Sequence, residues 1–326
     1  MQETEISQYS TKVINKVSYR FSGEEVCDSL DEISNETITE SKLIRKINID
    51  TVIVEQPLQI TLSWLDKGII KNKVFSITMR TPGHDYFLII GLLHSEGIIK
   101  QLNDIESINI TSEDATGEDK NNEWFVTFIT GFIPNLSSLD RYMVSYSSCG
   151  LCGTTSLKNL ELKTDINLSY ANHKKAISAQ SILLLSSKMR SEQGLFDKTG
   201  GVHGVALFDQ QLNIQQLYED IGRHNAVDKV IGSLLAQDQQ HSKFKLAHNQ
   251  LDESLQEMPL WVLLVSGRIS FEIVQKCIMA GIGVLIGVGS PSDLAIQAAQ
   301  RFDLTLIGFV SERGFNVYHG DWRLTN

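Results

Sequence analysis

The second half of the chain alternates short apolar runs with helix-forming segments, and this alternation limits the fold more than any other feature. Residues 261–265 are continuously apolar, as a strand covered on both faces requires. Strands are predicted at 203–208, 213–219, 261–265, 284–288, 304–310 and, at an edge, 315–318; helices are predicted at 225–236, 270–280 and 292–302. This order of elements predicts a three-layer α/β domain.

The first half of the chain predicts a smaller, strand-rich domain behind an extension. Residues 1–46 are rich in Ser, Thr and Glu and are interpreted as a weakly ordered, acidic and polar extension. Strands are predicted at 52–62, 73–79, 105–110 and 124–130, with one helix at 85–96. We therefore expect an N-terminal α+β domain at 47–146 and a C-terminal α/β domain at 147–326. The second domain includes a helix at 178–192, capped by Ser178, and a polar insertion at 237–258.

Charge and composition argue against several classes of protein. The formal net charge is −10 and no basic run is present, so a nucleic-acid partner is not expected. No apolar run reaches the length of a membrane span, and the acidic N-terminus is unlike a signal peptide. A soluble cytoplasmic protein is the expectation. In a reducing compartment, two cysteines three positions apart are more often catalytic or metal-binding than part of a disulfide framework.

Such a pair is formed by Cys149 and Cys152, which lie in a loop rich in Ser and Gly at residues 147–153. It can exchange electrons as dithiol and disulfide, hold a metal, or carry sulfur as a persulfide; two inert structural thiols are the plain alternative. Structural zinc would need further ligands, and Cys27 and Cys277 are isolated in the sequence. The flanking glycines favour an accessible loop over a packed one.

Three other clusters lie where predicted strands meet turns or helices. Residues 199–204 contain Gly201 and His203, and residues 219–229 pack six ionisable groups around Arg223 and His224. The first is either a binding turn or a structural histidine after a turn. The second suits proton handling or anion binding, or else a solvated ion network with a helix cap. Two strand-to-helix turns, with Arg268 in one and Ser290 in the other, suit either phosphate binding or capping alone, with Ser290 as N-cap.

The combination of these motifs resembles the FdhD family, the sulfur carriers needed for formate dehydrogenase activity. Matching segments lie at 95–99, 147–153, 199–203, 219–229, 266–281, 289–292 and 304–310. They follow the family's order over roughly residues 47–326. The resemblance implies a fold similar to that of cytidine deaminases and a homodimer.

The resemblance also implies a chemistry. A cysteine desulfurase would pass sulfur to Cys149 as a persulfide, with Cys152 also important. The acceptor would be the bis-guanine-dinucleotide form of the molybdenum cofactor, and a GDP-like guanine nucleotide could occupy the same site. The family's cofactor-binding stretch falls on Phe309, Val310, Ser311, Glu312, Arg313 and Gly314. Residues expected beside it from the clusters above are Gly201, His203, Arg223, His224, Arg268 and Ser290.

Three other functions compete with this hypothesis. A zinc-dependent deaminase-like hydrolase would place H-x-E before P-C-x-x-C, whereas here no proline precedes Cys149 and the sequence after His203 lacks the glutamate. A thiol-disulfide oxidoreductase would usually place CxxC at the start of a helix in a small βαβ domain. A non-catalytic interaction module requires that the thiols be inert.

Overall fold

A computed structural model describes residues 10–22, 42–110, 122–136, 177–240 and 259–325, together with positions 157–158, 160–161, 164 and 168. The predicted thiol loop at 147–153, and with it Cys149 and Cys152, lies outside the described residues. The predicted domain boundary at 146/147 and positions 241–258 of the predicted insertion also lie outside them.

The chain begins with a long hairpin of strands β1 (Thr11–Ser22) and β2 (Lys42–Ile53), which pair antiparallel along their whole length. Part of the predicted weakly ordered extension is therefore strand, and the prediction is wrong for these residues. The hairpin places Val13 opposite Thr51 and Val17 opposite Ile47, on one face. Val13 and Ile47 are each 66% exposed, so this face buries little apolar surface. The composition of the segment therefore gives little sign of a strand.

A four-stranded sheet follows, in the order β4-β3-β6-β5. Its elements are β3 (Gln56–Asp66), β4 (Ile69–Arg80), helix α1 (Asp85–Ser95), a 3-10 turn (Leu102–Asp104), β5 (Ile105–Ile110) and β6 (Glu123–Phe128). Lys67 and Gly68 join β3 to β4, both with positive φ, as a tight hairpin turn requires. The four predicted strands and the helix are confirmed, with ends shifted by a few residues.

The C-terminal part is built on a six-stranded sheet in the order β13-β12-β11-β10-β8-β9. Its elements are β7 (Ile177–Ser178), α2 (Ala179–Ile182), α3 (Leu185–Glu192), α4 (Gly194–Thr199), β8 (His203–Phe208), β9 (Ile214–Asp220), α5 (Arg223–Gln240), β10 (Val262–Val265), α6 (Phe271–Met279), β11 (Val284–Gly287), α7 (Asp293–Phe302), β12 (Thr305–Ser311), β13 (Gly314–His319), a 3-10 turn (Asp321–Arg323) and β14 (Leu324–Thr325). Ser178 accepts a hydrogen bond from the Ser181 amide, which confirms the predicted cap. The predicted helix at 178–192 is split into α2 and α3.

This sheet is covered on both faces. Leu263 and Val265 belong to the same buried cluster as residues of α5, α6 and α7, whereas Val262 and Leu264 pack with residues of α2 and α3. Alternate side chains of one strand thus enter two different cores. The predicted three-layer α/β class, with a smaller strand-rich part before it, is confirmed.

Helix α1 of the first half packs directly on α5 of the second. A Cβ atom added at Gly91 would lie 1.9 Å from the carbonyl oxygen of Asp228, and one added at Gly232 would lie 1.9 Å from that of Phe87. The backbones therefore touch where the helices cross, which only glycine allows. One buried cluster contains apolar residues of both halves, so the small sheet is fixed against the larger one.

Candidate functional site

The sequence clusters meet at one edge of the large sheet. Strands β10, β11 and β12 are parallel, so their carboxyl ends share this edge. Strand β8 is antiparallel to β10 and begins there, and β9 is antiparallel to β8 and ends there, with His203 opposite Asp220. Open α/β sheets bind ligands at this position.

A cavity of about 1000 Å³ opens at this edge. One part of its wall comes from α3, α4 and the turn after them; the other comes from the ends of β10 and β11 and from the β12–β13 turn. It is lined by Ser186, Ser187, Met189, Arg190, Gln193, Phe196, Gly200, Gly201, Val202, His203, Ser266, Val288, Val310, Ser311, Glu312 and Arg313. Six of the predicted site residues are among them: Gly201, His203, Val310, Ser311, Glu312 and Arg313.

His203 stands at the start of β8 and pairs with a hydroxyl group. Its Nδ1 lies 3.4 Å from Ser266 Oγ, which accepts a hydrogen bond from the Gly204 amide at 3.1 Å. The Ser266 hydroxyl hydrogen can therefore be directed to His203 Nδ1. Burial, and next the Arg223 cation, lower the pKa of His203 below its ordinary value. These surroundings favour the neutral form of the ring.

Arg223 and His224 lie behind His203 and do not line the cavity. A side chain at Gly267 would lie 3.5 Å from the His203 ring and 4.0 Å from Arg223 Cδ, so all three positions are neighbours. Arg223 Nε donates to His224 Nε2 at 3.3 Å. Burial lowers the pKa of His224 to about 4, despite Glu272 nearby. His224 is therefore a neutral acceptor that orients Arg223.

Most of the other ionisable groups at 219–229 serve the fold. Asp220 and Lys229 form a buried ion pair at 2.7 Å, and Lys229 also donates to the Thr81 carbonyl of the first half. Asp228 forms a second buried pair with Lys276 at 2.7 Å and accepts from the Ser95 hydroxyl. These residues do form an ion network, but the network is buried and not solvated as predicted, because its partners hold the two halves together.

The two strand-to-helix turns lie against each other. The Gly289 amide donates to the Gly267 carbonyl at 3.1 Å, and the Ile269 amide donates to the Ser290 carbonyl at 3.0 Å. Ser290 is not the N-cap of α7; Ser292 is, since its hydroxyl accepts from the Ala295 amide. A bridge between Ile269 and Pro291 keeps the chain extended at Pro291, so the N-cap lies two residues later than predicted. Arg268 is exposed outside the cavity.

The stretch 309–314 covers the last three residues of β12, the two-residue turn and the first residue of β13. Phe309 has a left-handed backbone with φ 57°, its side chain is 49% exposed, and its amide donates to the Gly289 carbonyl. Such a conformation is costly for an aromatic residue, so the surrounding contacts must hold it in place. The Ser311 hydroxyl donates to the Gly314 carbonyl and accepts from the Arg313 amide, which fixes the turn.

Of the helical part of the wall, α3 lies within the helix predicted at 178–192, whereas α4 was not predicted from the sequence. Helix α4 has only six residues and no apolar period. The one signal was the pair of glycines at 200 and 201 after a short helix-forming segment: Gly200 has φ 65° and ends α4. Arg190, Gln193 and Phe196 of this wall were therefore missed.

No group of three or more His, Cys, Asp and Glu side chains is placed to hold a metal ion within the described ranges. The charged groups that act on the His203 ring are the guanidinium of Arg223 and, less strongly, the carboxylate of Asp220. The deaminase-like hydrolase is not favoured by the family comparisons that follow.

Comparison with known proteins decides the family. The model of the FdhD/NarQ family matches residues 53–325. The chain belongs to the FdhD/NarQ family. Proteins named sulfur carrier protein FdhD include that of Sulfolobus acidocaldarius, 39% identical over 271 residues, which cover 82% of this chain and 89% of the relative. The one from Streptomyces avermitilis is 36% identical over 278 residues, covering 84% and 89%.

Solved structures support the fold of the family. The crystal structure of a formate dehydrogenase accessory protein from Desulfotalea psychrophila superposes with a TM-score of 0.61 at 19% identity, covering 97% of this chain and all of that one. The family predicted from the sequence motifs is confirmed. No helix among the described residues is long and apolar enough to cross a membrane.

Proposed function

We propose that the chain accepts sulfur from a cysteine desulfurase on Cys149 and transfers it to the bis-guanine-dinucleotide molybdenum cofactor, which formate dehydrogenase then uses. The relatives named sulfur carriers support sulfur transfer. The main structural support is the cavity that is lined by Gly201, His203, Ser311 and Arg313. It offers a binding site for a large anionic acceptor at the ligand-binding edge of the sheet.

Loading is a thiol exchange. The Cys149 thiolate attacks the outer sulfur of the desulfurase persulfide, the sulfur–sulfur bond of the donor breaks, and the desulfurase cysteine leaves as a thiolate. Cys149 then carries the sulfur as a persulfide. The step moves one sulfur atom and needs no external oxidant or reductant.

Release of the persulfide sulfur as sulfide needs two electrons, which the Cys149–Cys152 pair supplies when Cys152 forms a disulfide with Cys149. When the Cys152 thiolate attacks the inner sulfur of the Cys149 persulfide, a Cys149–Cys152 disulfide forms and the outer sulfur leaves as sulfide for the acceptor. A thiol reductant of the cytoplasm then restores both thiols. The CxxC spacing suits such a disulfide, and this assigns different roles to the two cysteines.

The acceptor fits the lining of the cavity. A volume of about 1000 Å³ is at the upper end of ordinary small-molecule sites, as expected for a substrate with two nucleotide arms. Arg313 offers a fork of donors for phosphate oxygens, and the Glu312 carboxylate can accept from the N–H groups of a guanine ring. His203, as a neutral imidazole, can form a hydrogen bond with a group bound beside it. We expect GDP to occupy the same cavity.

We also expect a homodimer in the cytoplasm. The outer face of the β3–β4 hairpin exposes Leu65, Ile70, Ile77 and Met79, which are between 39% and 70% exposed. Apolar groups that lie together on a surface commonly mark a protein contact. A reducing compartment would keep Cys149 and Cys152 available as thiols.

Mass spectrometry after incubation with a desulfurase and cysteine tests the loading step. We expect a gain of about 32 Da, one sulfur atom, on the peptide that contains Cys149. Cys149→Ala should abolish the adduct. Cys277→Ala is the matched control and should leave it unchanged, because Cys277 is fully buried and burial raises the pKa of its thiol. An adduct that persists in Cys149→Ala would contradict the mechanism.

A further inference from the structure

The wall formed by α3 and α4 brings an arginine and an aromatic ring into the cavity, away from the turn at 309–314. Arg190 is on α3 and Phe196 is on α4, and both line the cavity. The Arg190 guanidinium carbon lies 4.4 Å from the centre of the Phe196 ring, and Arg190 Nη1 lies 2.6 Å from Asp197 Oδ1. The arginine is thus held in place by a ring and a carboxylate at once.

The position of this wall is fixed from the sheet side. The Glu219 carboxylate accepts from the amides of Leu195 and Phe196, each at 2.8 Å, and so anchors the first turn of α4 to the end of β9. Gln193, which joins α3 to α4, is 3% exposed and packs on Gly204, where a Cβ atom would lie 2.3 Å from its amide nitrogen. A ligand would meet a prearranged surface.

Arg190 keeps donors for such a ligand. A guanidinium has five N–H groups, and the contact with Asp197 uses one terminal nitrogen. The side chain is 47% exposed on the cavity side of the helix, so an anion can reach it. Arg313 reaches the same cavity from a different element, the β12–β13 turn. Two arginines on separate walls suit a ligand with phosphates between them.

We propose that Arg190, held by Phe196 and Asp197, binds the diphosphate of the guanine nucleotide arm from the helical wall, as a second cation beside Arg313. This inference rests on the proposed function, since it names a contact for the same acceptor. It assigns a substrate-binding role to a residue outside all of the motifs that led to the family.

Calorimetric titration of the full chain with GDP, inorganic pyrophosphate and guanosine tests the proposal. Arg190→Gln should weaken binding of GDP and of pyrophosphate by about ten-fold to one hundred-fold, the usual effect of losing a charge-assisted hydrogen bond. Guanosine binding should stay within about two-fold, because guanosine carries no phosphate. Lys198→Gln is the matched control: Lys198 is a basic residue of α4 that does not line the cavity, and its loss should change none of the three.

Unchanged binding of GDP and pyrophosphate by Arg190→Gln would overturn the proposal, as would a loss confined to guanosine. If this variant does not fold, Arg190→Lys serves instead, because it keeps a cation over the Phe196 ring but loses the forked donors of the guanidinium. It should bind GDP and pyrophosphate about three-fold to ten-fold more weakly. Full affinity in Arg190→Lys would also overturn the proposal. Absence of GDP and pyrophosphate binding by the wild type would overturn the nucleotide site itself. Sulfur loading on Cys149 is measured separately, by mass spectrometry.

Discussion

Gly232→Ala is the sharpest test of how the two halves of the chain are joined. A Cβ atom at this position would lie 1.9 Å from the carbonyl oxygen of Phe87, 2.7 Å from its carbon and 2.9 Å from the amide nitrogen of Gly91. All three atoms belong to the backbone of α1, so no side chain can rotate away. The helices would have to separate by about 1.5 Å to restore an ordinary contact distance.

The expected cost follows from two opposing terms. Overpacking of this kind usually costs about 1–3 kcal/mol, and a rigid backbone contact belongs at the upper end or above it. Alanine gains about 1 kcal/mol over glycine in a helix interior. The net loss should therefore be about 2 kcal/mol or more in the free energy of unfolding. Because Asp228 lies one turn away, its pair with Lys276 would be disturbed as well.

Urea unfolding followed by tryptophan fluorescence measures this loss. Gly194→Ala is the control, since Gly194 is helical and has no atom within 4 Å of the added Cβ. It should leave stability unchanged or raise it by up to about 1 kcal/mol. If Gly232→Ala were as stable as the wild type, the close packing of α1 on α5 would be refuted.

Three further predictions concern buried groups. Lys276→Met leaves the Asp228 carboxylate buried beside Ser95 without its cation, and should lower the free energy of unfolding in urea by about 3–5 kcal/mol. The double variant with Asp228→Asn should recover part of that loss. Additive losses from the two substitutions would contradict the pairing. Burial lowers the pKa of His84 from 6.5 to about 4, so between these pH values the unfolded chain binds a proton that the folded chain does not. This contribution to stability should fall on acidification from pH 6.5 to 4 and be absent in His84→Asn, and an equal pH response of the two proteins would refute it. Cys277 should resist alkylation by iodoacetamide in the folded protein and react only in urea, and modification under native conditions would contradict its burial.

The large sheet could be predicted from the sequence because its strands are buried on both faces. Residues 203–208 were predicted without error, since apolar β-branched and aromatic side chains there stand between a turn and a polar loop. The β1–β2 hairpin was missed for the opposite reason: its apolar residues, such as Val13 and Ile49, stay exposed among charged ones.

The site could be predicted in part because parallel strands end at one edge. This rule placed the turn with Ser266 at the ligand-binding edge, whereas Arg313 was expected there from the family resemblance. It could not show that the charges in 219–229 do not line the cavity or that Asp220 faces the other half of the chain. Nor could it place Arg190 over Phe196, since that contact depends on how the chain turns at Gln193.

Transfer of labelled sulfur tests the central claim most directly. The chain is loaded with ³⁴S from a desulfurase, freed of the donor, and incubated with the bis-guanine-dinucleotide cofactor and formate dehydrogenase that lacks it. We predict that ³⁴S leaves Cys149 and appears on the cofactor as formate oxidation begins, and that Cys152→Ala holds the label without passing it on. Active formate dehydrogenase with unlabelled cofactor, or full transfer by Cys149→Ala, would contradict the account.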